Sequence, residues 1–593
     1  MRKLNYLVLA ILLSLGVSAH GADRLVPSVY PTIQAAIDAA VNGDTVTIAD
    51  GTYTGVGNRN IDFAGKAITV KSENGPNQCT IDCQDDGRPF YFQHDESSSA
   101  QVIGFTIING SQALCDTGSP VFDNCIFDNN SGQSTGGVRC LWGSNPTILN
   151  CVFSGQSGKQ GCQVYIAVNS KPIIKNCIFK GGNSTAIACK DGSDEGGSIP
   201  SCPTISNCLI YGIYATAPYH APPAIWLEEA ESATTVQNCV IAGNYSNRWA
   251  AGIWCTRTDA TITNCTIVNN SSITPGGGIG CYDADPVINN CIIWGNQPPH
   301  GPQIVLMAGS NPSISYCDIQ GGWPGEGNID TDPCFVDVSD DDYHIRWFSN
   351  CINTGDPNYA AEPNETDLDG LPRIIGGRVD MGAYEFNHAP IANAGSNQTV
   401  YAWIDGKAEV KLDGSGSSDA DRDTLSYKWT WTIDANTYEA NSVSPTIELP
   451  VGVHTIQLVV NDGYADSAPD DVNVTVVAPL TGKLSIEPCV INRRSNQPHI
   501  LAFIRLPAGI KRSDIDCNEP ITLYPGGIEA SRRWVIPCND GGRPSTGIFA
   551  FFDKDTLMAA VPQNGNKELK VAGKLKSGQY FYGCDTVKII SLK

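Results

Sequence analysis

The sequence predicts an all-β protein whose residues 23–388 form a coil of stacked strands. Three observations predict it. The dipeptide Asn-Cys recurs at Asn124-Cys125, Asn150-Cys151, Asn176-Cys177, Asn207-Cys208, Asn238-Cys239, Asn264-Cys265 and Asn290-Cys291, with Tyr316-Cys317 as a degenerate eighth copy. The cysteines are spaced 26, 26, 31, 31, 26, 26 and 26 residues apart, and a fixed period of this length signals a repeat architecture. Each copy sits in a short apolar alternation such as Thr261 to Ile267, and the repeat lacks the three-and-four apolar spacing of a helix.

Each period holds two or three short strands, with Gly and Asn at the corners. A second strand precedes the Asn-Cys strand in several copies, as at Gly137-Val138-Arg139-Cys140, Gly252-Ile253-Trp254-Cys255 and Gly278-Ile279-Gly280-Cys281. Stacked turns pair their backbones at about 4.8 Å, so eight turns make a rod of roughly 40 Å before the ends are added. Like residues then fall into columns. Buried Asn side chains are expected to bond along their column, and the Cys column is expected to be small buried thiols rather than bridges. Ahead of the repeat, Ile33, Ala36, Ile37, Ala40 and Val41 share one face of a short helix. Such a helix covers the open end of the coil, where strand edges would otherwise be bare.

Composition narrows the function. The chain of 593 residues carries 38 Lys and Arg against 61 Asp and Glu, a net −23. Such a charge repels phosphate backbones, which argues against nucleic-acid binding. Arg2 and Lys3, the apolar run Leu7 to Val17 and the small residues Val17-Ser18-Ala19 read as an export signal over 1–19. The expectation is therefore a secreted or cell-surface protein, a monomer without a membrane span. The 23 Cys suit an oxidising compartment.

The start of the chain carries Tyr30-Pro31-Thr32-Ile33-Gln34-Ala35-Ala36-Ile37, Gly43-Asp44-Thr45-Val46 and Asp50-Gly51-Thr52-Tyr53. The repeat closes on Asp367-Leu368-Asp369-Gly370-Leu371-Pro372-Arg373 through Asp380-Met381-Gly382-Ala383-Tyr384-Glu385. With the repeat between them, these stretches resemble the right-handed parallel β-helix proteins of the pectin-lyase-like superfamily. The resemblance implies a right-handed parallel β-helix over 23–388 with a short N-terminal capping helix. Lyases, hydrolases, epimerases and non-enzymatic adhesins share that fold, so the fold names no activity.

After Asn387-His388-Ala389-Pro390 the composition shifts. Residues 389–479 resemble a PKD domain, on Leu412-Asp413-Gly414-Ser415-Gly416-Ser417, Ser426-Tyr427-Lys428-Trp429 and Leu458-Val459-Val460-Asn461-Asp462-Gly463. The resemblance implies a small Ig-like β-sandwich. Asp419, Asp421 and Asp423 alternate in one of its loops, a set of hard oxygen ligands suited to Ca2+. Residues 480–593 form a C-terminal β-rich domain, with strands at His499 to Leu506 and Thr586 to Leu592. Its Cys489, Cys517, Cys538 and Cys584 are expected to form two disulfides.

The columns locate a candidate site. With Cys189, Leu227, Cys255 and Cys281 aligned as one inward position, the flanking positions point outward. Trp226 and Trp254 are then expected side by side on the surface, as flat faces for sugar rings. Beside them come Lys190, Glu228, Thr256 and Tyr282, and then Asp191, Glu229, Arg257 and Asp283. Trp226, Trp254, Glu228 and Tyr282 are the expected substrate-binding residues. Asp191, Glu229 and Asp283 are candidate Ca2+ ligands, and Lys190 and Arg257 candidate bases, since Lys or Arg often takes that role in the superfamily. The same turns carry the 31-residue periods, whose extra residues lie in 190–203 and 211–224 and include Tyr211, Tyr214, Tyr219 and His220; long loops on a rigid scaffold are where sites concentrate. The polygalacturonase pattern of paired Asp with Gly-His-Gly is absent, as is the pectate-lyase Arg-x-Pro-x-x-Arg pattern. Two readings stand: a secreted protein that binds and degrades an extracellular polysaccharide in the manner of a lyase, with Ca2+ and no organic cofactor, or a non-enzymatic adhesin or structural rod.

Overall fold

The computed structural model describes residues 21–591 apart from 133–134, 159–161, 184, 216–222, 249, 274–275, 298–301 and 541. The export signal expected in 1–19, and Tyr219 and His220, lie outside the described residues. The described chain forms two compact units, one ending at Phe386 and one beginning at Asn387.

The first unit is a coil of three parallel sheets. Sheet I has twelve strands, from Asp23–Val26 to Ser313–Ser315; sheet II has ten, from Ile61–Asp62 to Ile304–Met307; sheet III has eleven, from Gly51–Tyr53 to Asp318–Ile319. One turn runs through Thr261–Thr263 in sheet I, Thr266–Val268 in sheet III and Ile279–Tyr282 in sheet II, then returns to sheet I at Val287–Asn289. Like residues stack, as expected: Ile241 pairs with Ile267 and Ile267 with Ile293. The Phe127, Phe153 and Phe179 rings stack within the coil at 4.9 Å, nearly parallel.

Each corner has its own chemistry. Asn124, Asn150, Asn176, Asn207, Asn238, Asn264 and Asn290 turn the chain from sheet I to sheet III with φ between 52° and 56°. Asn visits this left-handed region more readily than other residues with a Cβ. These Asn are not uniformly buried, contrary to expectation. Asn124, Asn150 and Asn176 are exposed, and only from Asn207 onward is the column covered. The cover is the segment 351–386, to which Asn207 donates at Asp367 O (2.9 Å) and Asn264 at Tyr359 Oη (2.9 Å). The interior amide column stands at the next corner instead, between sheets III and II, with Asn130 and Gln156 on the early turns and Asn244, Asn270 and Asn296 on the later ones. Asn270 donates from Nδ2 to Ile241 O (2.8 Å) and Asn296 Oδ1 (3.0 Å), and its own Oδ1 accepts from Asn244 N (3.1 Å).

The Cys column is buried and unbridged. Its eight thiols donate to the carbonyl two residues earlier at 3.1–3.4 Å. A second column, Cys115, Cys140, Cys189, Cys255 and Cys281, lines the inner face of sheet II. Burial pushes the Cys79, Cys83 and Cys281 thiols up to about 12.

The capping helix is Ile33–Ala39, with Thr32 Oγ1 accepting from Ala35 N and Ile33, Ala36 and Ile37 buried. Val41 does not join that face. The helix has ended by Ala40, and Val41 is 63% exposed. At the other end, Tyr343, Ile345, Met381 and Ala383 pack on the outer side of sheet III against Val240, Val268 and Ile292. That segment also holds a buried ion pair, Arg373 with Glu385 at 2.9 Å. His344 is clamped between Asp342 (2.5 Å) and Asp369 (2.6 Å), and both carboxylates work against burial to raise it. The outer side of sheet II remains as the flank on which a site can be built.

The second unit begins with a sandwich of a five-stranded and a two-stranded sheet, around Trp429, Leu458 and Val474. It continues into a six-stranded and a four-stranded sheet around Leu523, Ile548 and Phe581. Trp403 of the sandwich packs on Tyr580 of the following sheets at 4.6 Å. The expected disulfides are not formed: Cys489, Cys517, Cys538 and Cys584 are free. Cys538 lies on Arg532–Asp540 of the four-stranded sheet and Cys584 on Tyr580–Ile590 of the six-stranded one. Cys489 is bonded across from Lys588, four residues and about 13 Å along the strand from Cys584, beyond bridging distance.

None of the described cysteines is disulfide-bonded, and of the 23 only Cys202, Cys334, Cys489, Cys517, Cys538 and Cys584 are not buried. A thiol reagent is therefore expected to label at most six sites in the native protein and all 23 after denaturation. Peptide mapping of the label checks this. Native labelling of the columns would contradict the interior, and a shortfall after denaturation would reveal bridges.

Candidate functional site

Sheet II places the expected residues in the expected register. Ala188, Trp226, Trp254 and Gly280 are successive partners, as are Cys189, Leu227, Cys255 and Cys281. The corner that follows is held in the left-handed region at Val168, Glu229, Arg257 and Asp283, with φ of 54°, 50°, 48° and 50°. Left-handed backbone at residues with a Cβ is uncommon, above all at a β-branched Val, and a column of it throws successive side chains off the edge of the sheet.

The side chains there form a charge ladder. Lys190 Nζ lies 4.5 Å from the centre of the Trp226 ring and 4.0 Å from Glu228 Oε2. Arg257 Nη2 is 3.8 Å from Glu228 Oε1, and Arg257 Nε donates to Glu229 Oε1 at 2.5 Å. Burial raises Glu228 above the usual carboxylate range, opposed by Lys190 and Arg257. Hydrogen bonding to Glu229 raises Arg257 further. A guanidinium held in this way is a fixed cation and does not accept a proton. Tyr282 closes the row at 41% exposure.

Two expectations fail. Trp254 is beside Trp226 but only 4% exposed. A Cβ at Gly280 would stand 2.2 Å from its ring, so the missing side chain leaves the hollow into which the indole folds. On these turns Trp226, half-buried beneath Lys190, and Tyr282 then present aromatic faces, and Trp142, 46% exposed, stands in the same corner column on an earlier turn. Asp191, Glu229 and Asp283 do not converge as a metal site. Asp191 accepts from Ser193 N and Oγ, both at 3.0 Å, and from Ser198 Oγ within its own loop, while Glu229 is taken by Arg257.

The long loop 190–203 reaches back across two turns, where Glu195 bonds Arg139 and Arg139 lies over Tyr165. It roofs an apolar patch of Leu141, Tyr165, Val168 and Ala188 on the outer side of sheet II. Tyr214, 60% exposed, stands 6.2 Å from the Tyr245 ring on the following turn, and Tyr211 pairs with Ala242.

A cluster that the sequence reading missed lies on the second and third turns. One ligand atom from each of Asp62, His94 and Glu96 falls within 4.8 Å of the others. Its signal was a His-x-Glu one turn after Asp62. Both Glu96 oxygens already accept backbone N–H groups, from Gly65 and His94 at 3.0 Å. In the sandwich, Asp419 Oδ1 accepts from Asp421 N (2.8 Å) and Asp423 N (3.1 Å), and His388 binds Asp421. Asp419 Oδ2 and Asp423 Oδ2 are buried without a hydrogen-bond partner. Burial, then Asp419, Asp421 and Asp462, raise Asp423.

Comparison with known proteins follows this division. A right-handed β-helix region matches at 45–218 and 136–319, and a PKD domain at 394–476. No curated protein matches the chain. Among solved structures, a 1.5-MDa bacterial ice-binding adhesin is similar at 13% identity and a TM-score of 0.16, over 35% of this chain and 67% of that one. The Bacteroides ovatus mixed-linkage glucan-utilisation protein SGBP-B is similar at 13% identity and 0.14, over 34% and 48%. The catalytic unit of a GH87 α-1,3-glucanase from Streptomyces thermodiastaticus is similar at 10% identity and 0.25, over 50% and 66%. The chain thus spans about half to two-thirds of the length of these structures.

Proposed function

We propose, for a chain that carries a right-handed β-helix region followed by a PKD domain, that the β-helix binds an extracellular polysaccharide along the flank of sheet II. The observation that carries this reading is the ladder Lys190–Glu228–Arg257–Glu229, in register with the faces of Trp226 and Tyr282. A flat parallel sheet presents these groups about 4.8 Å apart per turn, close to the advance of an extended sugar chain per ring. Alternating charges bind hydroxyls and carboxylates in a fixed order, and aromatic faces take the apolar side of a ring. Arg257 held by Glu229, and Lys190 held between Trp226 and Glu228, favour holding a polymer over abstracting its proton. The adhesin form of the reading is therefore preferred to the lyase form. Among the described residues no helix is long and apolar enough to cross a membrane. Export by residues 1–19 would bring the protein to such a polymer.

The test is the full chain against a panel of neutral and uronic-acid polymers, with and without Ca2+. Trp226→Ala with Arg257→Ala is expected to weaken binding at least fivefold, about 1 kcal/mol or more. Unchanged affinity would remove the flank from the site. Release of unsaturated uronate, read by ultraviolet absorbance, would restore the lyase form.

The loop of Asp419, Asp421 and Asp423 is proposed to take Ca2+, supported by its two buried oxygens without donors. Calcium at about 100 times its dissociation constant is expected to stabilise the sandwich by about 2.7 kcal/mol, and Asp423→Asn to abolish the gain. Calorimetry with and without CaCl2 checks this, and a melting point blind to calcium would refute it.

A further inference from the structure

Charge is distributed very unevenly along the chain. Residues 480–593 hold 16 Lys and Arg against 10 Asp and Glu, a net +6, which leaves 22 against 51, or −29, for the rest. Within this basic domain some cations are engaged: Lys570 pairs with Glu568, Lys574 with Glu519, and Arg493, Arg533 and Lys554 bond backbone carbonyls, while others, Arg494, Lys567 and Lys588 among them, form none of the ion pairs found among the described residues. Lys511, Arg512 and Arg543 belong to the second group, and they alone among these line one groove. All three are exposed, and they make none of the ion pairs formed among the described residues. Together they line one groove of about 530 Å3, whose apolar walls are Ile510, Pro537 and Pro544.

The groove is built before any ligand arrives. Its loop is tied to the neighbouring strand by Leu506 N to Thr546 O (2.9 Å) and Gly509 N to Pro544 O (3.1 Å). The hydroxyls on its floor are turned inward, Ser545 to Leu506 O and Thr546 to Ile510 O, both at 2.6 Å. Asp514 of the same loop accepts from Lys511 N and Ser513 Oγ, and Asp540 is the cross-strand partner of Arg543. Three unpaired cations over an apolar wall therefore face outward.

We propose that this groove binds a stretch of anionic polysaccharide, independently of the β-helix flank. Charge complementarity selects an anion, and the −29 on the rest of the chain selects among anions. Nucleic acid, with a charge every 1.7 Å or so of duplex, and an anionic bilayer are repelled over their whole extent. A polymer with one carboxylate or sulfate per ring carries its charges farther apart and is repelled less by the acidic remainder, a repulsion that salt at a Debye length of about 8 Å weakens further. Proline and isoleucine faces suit the apolar side of a sugar ring, and the concavity suits a strand rather than a plane.

The experiment uses the full chain in the Trp226→Ala, Arg257→Ala background, so that loss of the β-helix site cannot be confused with loss of this one. Probes are polygalacturonate, neutral dextran of similar length, and phosphatidylglycerol vesicles, at low and at physiological salt. Polygalacturonate binding that weakens with salt is expected, with neither dextran nor vesicles bound. Lys511→Glu, Arg512→Glu, Arg543→Glu is expected to weaken it at least tenfold. The same charge change at Arg494, Lys567 and Lys588 is expected to alter it less than twofold. The Gln versions of both triples repeat the comparison should the Glu versions fold poorly. Equal loss in both triples, no polymer binding, or vesicles bound in preference would each overturn the proposal.

Discussion

Arg373→Leu is expected to destabilise the β-helix by about 3–5 kcal/mol, the cost of leaving a buried charge without its partner. Both side chains of the Arg373–Glu385 pair are fully buried. The guanidinium also donates from Nη2 to Gly382 O at 3.1 Å. Asp367 and Asp380 are buried beside it and are held by backbone N–H groups. Removing Arg373 leaves these carboxylates facing one another in a dry interior. Burial raises Glu385, opposed first by Arg373 and then by the Asp380 N–H. In the variant Glu385 rises further and takes up a proton on folding. A group whose folded pKa exceeds its unfolded one gains stability as pH falls; Glu385 is already raised to about 9 beside Arg373, so both proteins are expected to gain stability from pH 8 to pH 5 and the deficit to persist across that range. Adding Glu385→Gln, which keeps an acceptor for Asp380 N, is expected to restore most of the loss. Urea titrations of the three proteins across that range check the order; equal stability of Arg373→Leu and wild type at pH 8 would contradict it.

Asn270→Ala carries the second large effect, about 3 kcal/mol. The substitution strands Asn244 N–H and Ile241 O, each buried, at about 1–3 kcal/mol per unsatisfied group. It also cuts the amide column between Asn244 and Asn296. Asn150 is the contrasting case. It is exposed, and its φ of 52° is one that glycine adopts freely. Asn150→Gly is therefore expected to change stability by no more than a few tenths of a kcal/mol. Urea midpoints at equal slope measure both. A larger loss at Asn150 than at Asn270 would place the structural column at the wrong corner.

That pair of asparagines also marks how far the sequence could be read. The period of the Asn-Cys dipeptides was enough to align the turns, and the alignment through Cys189, Leu227, Cys255 and Cys281 holds in sheet II. Alternation tells which side of a sheet a residue faces. It does not tell what covers that side. Trp254 faces outward and is nonetheless buried, because Gly280 on the next turn leaves room for its ring. The Asn of the dipeptides drew attention as the repeated polar residue, yet its left-handed backbone aims it at the outer edge, where a later segment decides its burial. The interior amides follow a residue that makes the turn, as in Asn269-Asn270, Gly243-Asn244 and Gly295-Asn296, and that doublet was the overlooked signal. An even cysteine count in 480–593 carried no information on distance between strands, and the disulfides inferred from it are absent.

The flank of sheet II is the face proposed to meet the polymer. Hydroxyl-radical footprinting of the full chain, with and without a polysaccharide that it binds, tests this most directly. Protection is expected at Trp226 and Tyr282, while the exposed Trp347 and Phe348 of the same unit keep their reactivity. Unprotected Trp226 and Tyr282 in the saturated complex, with protection confined to other surfaces, would contradict it.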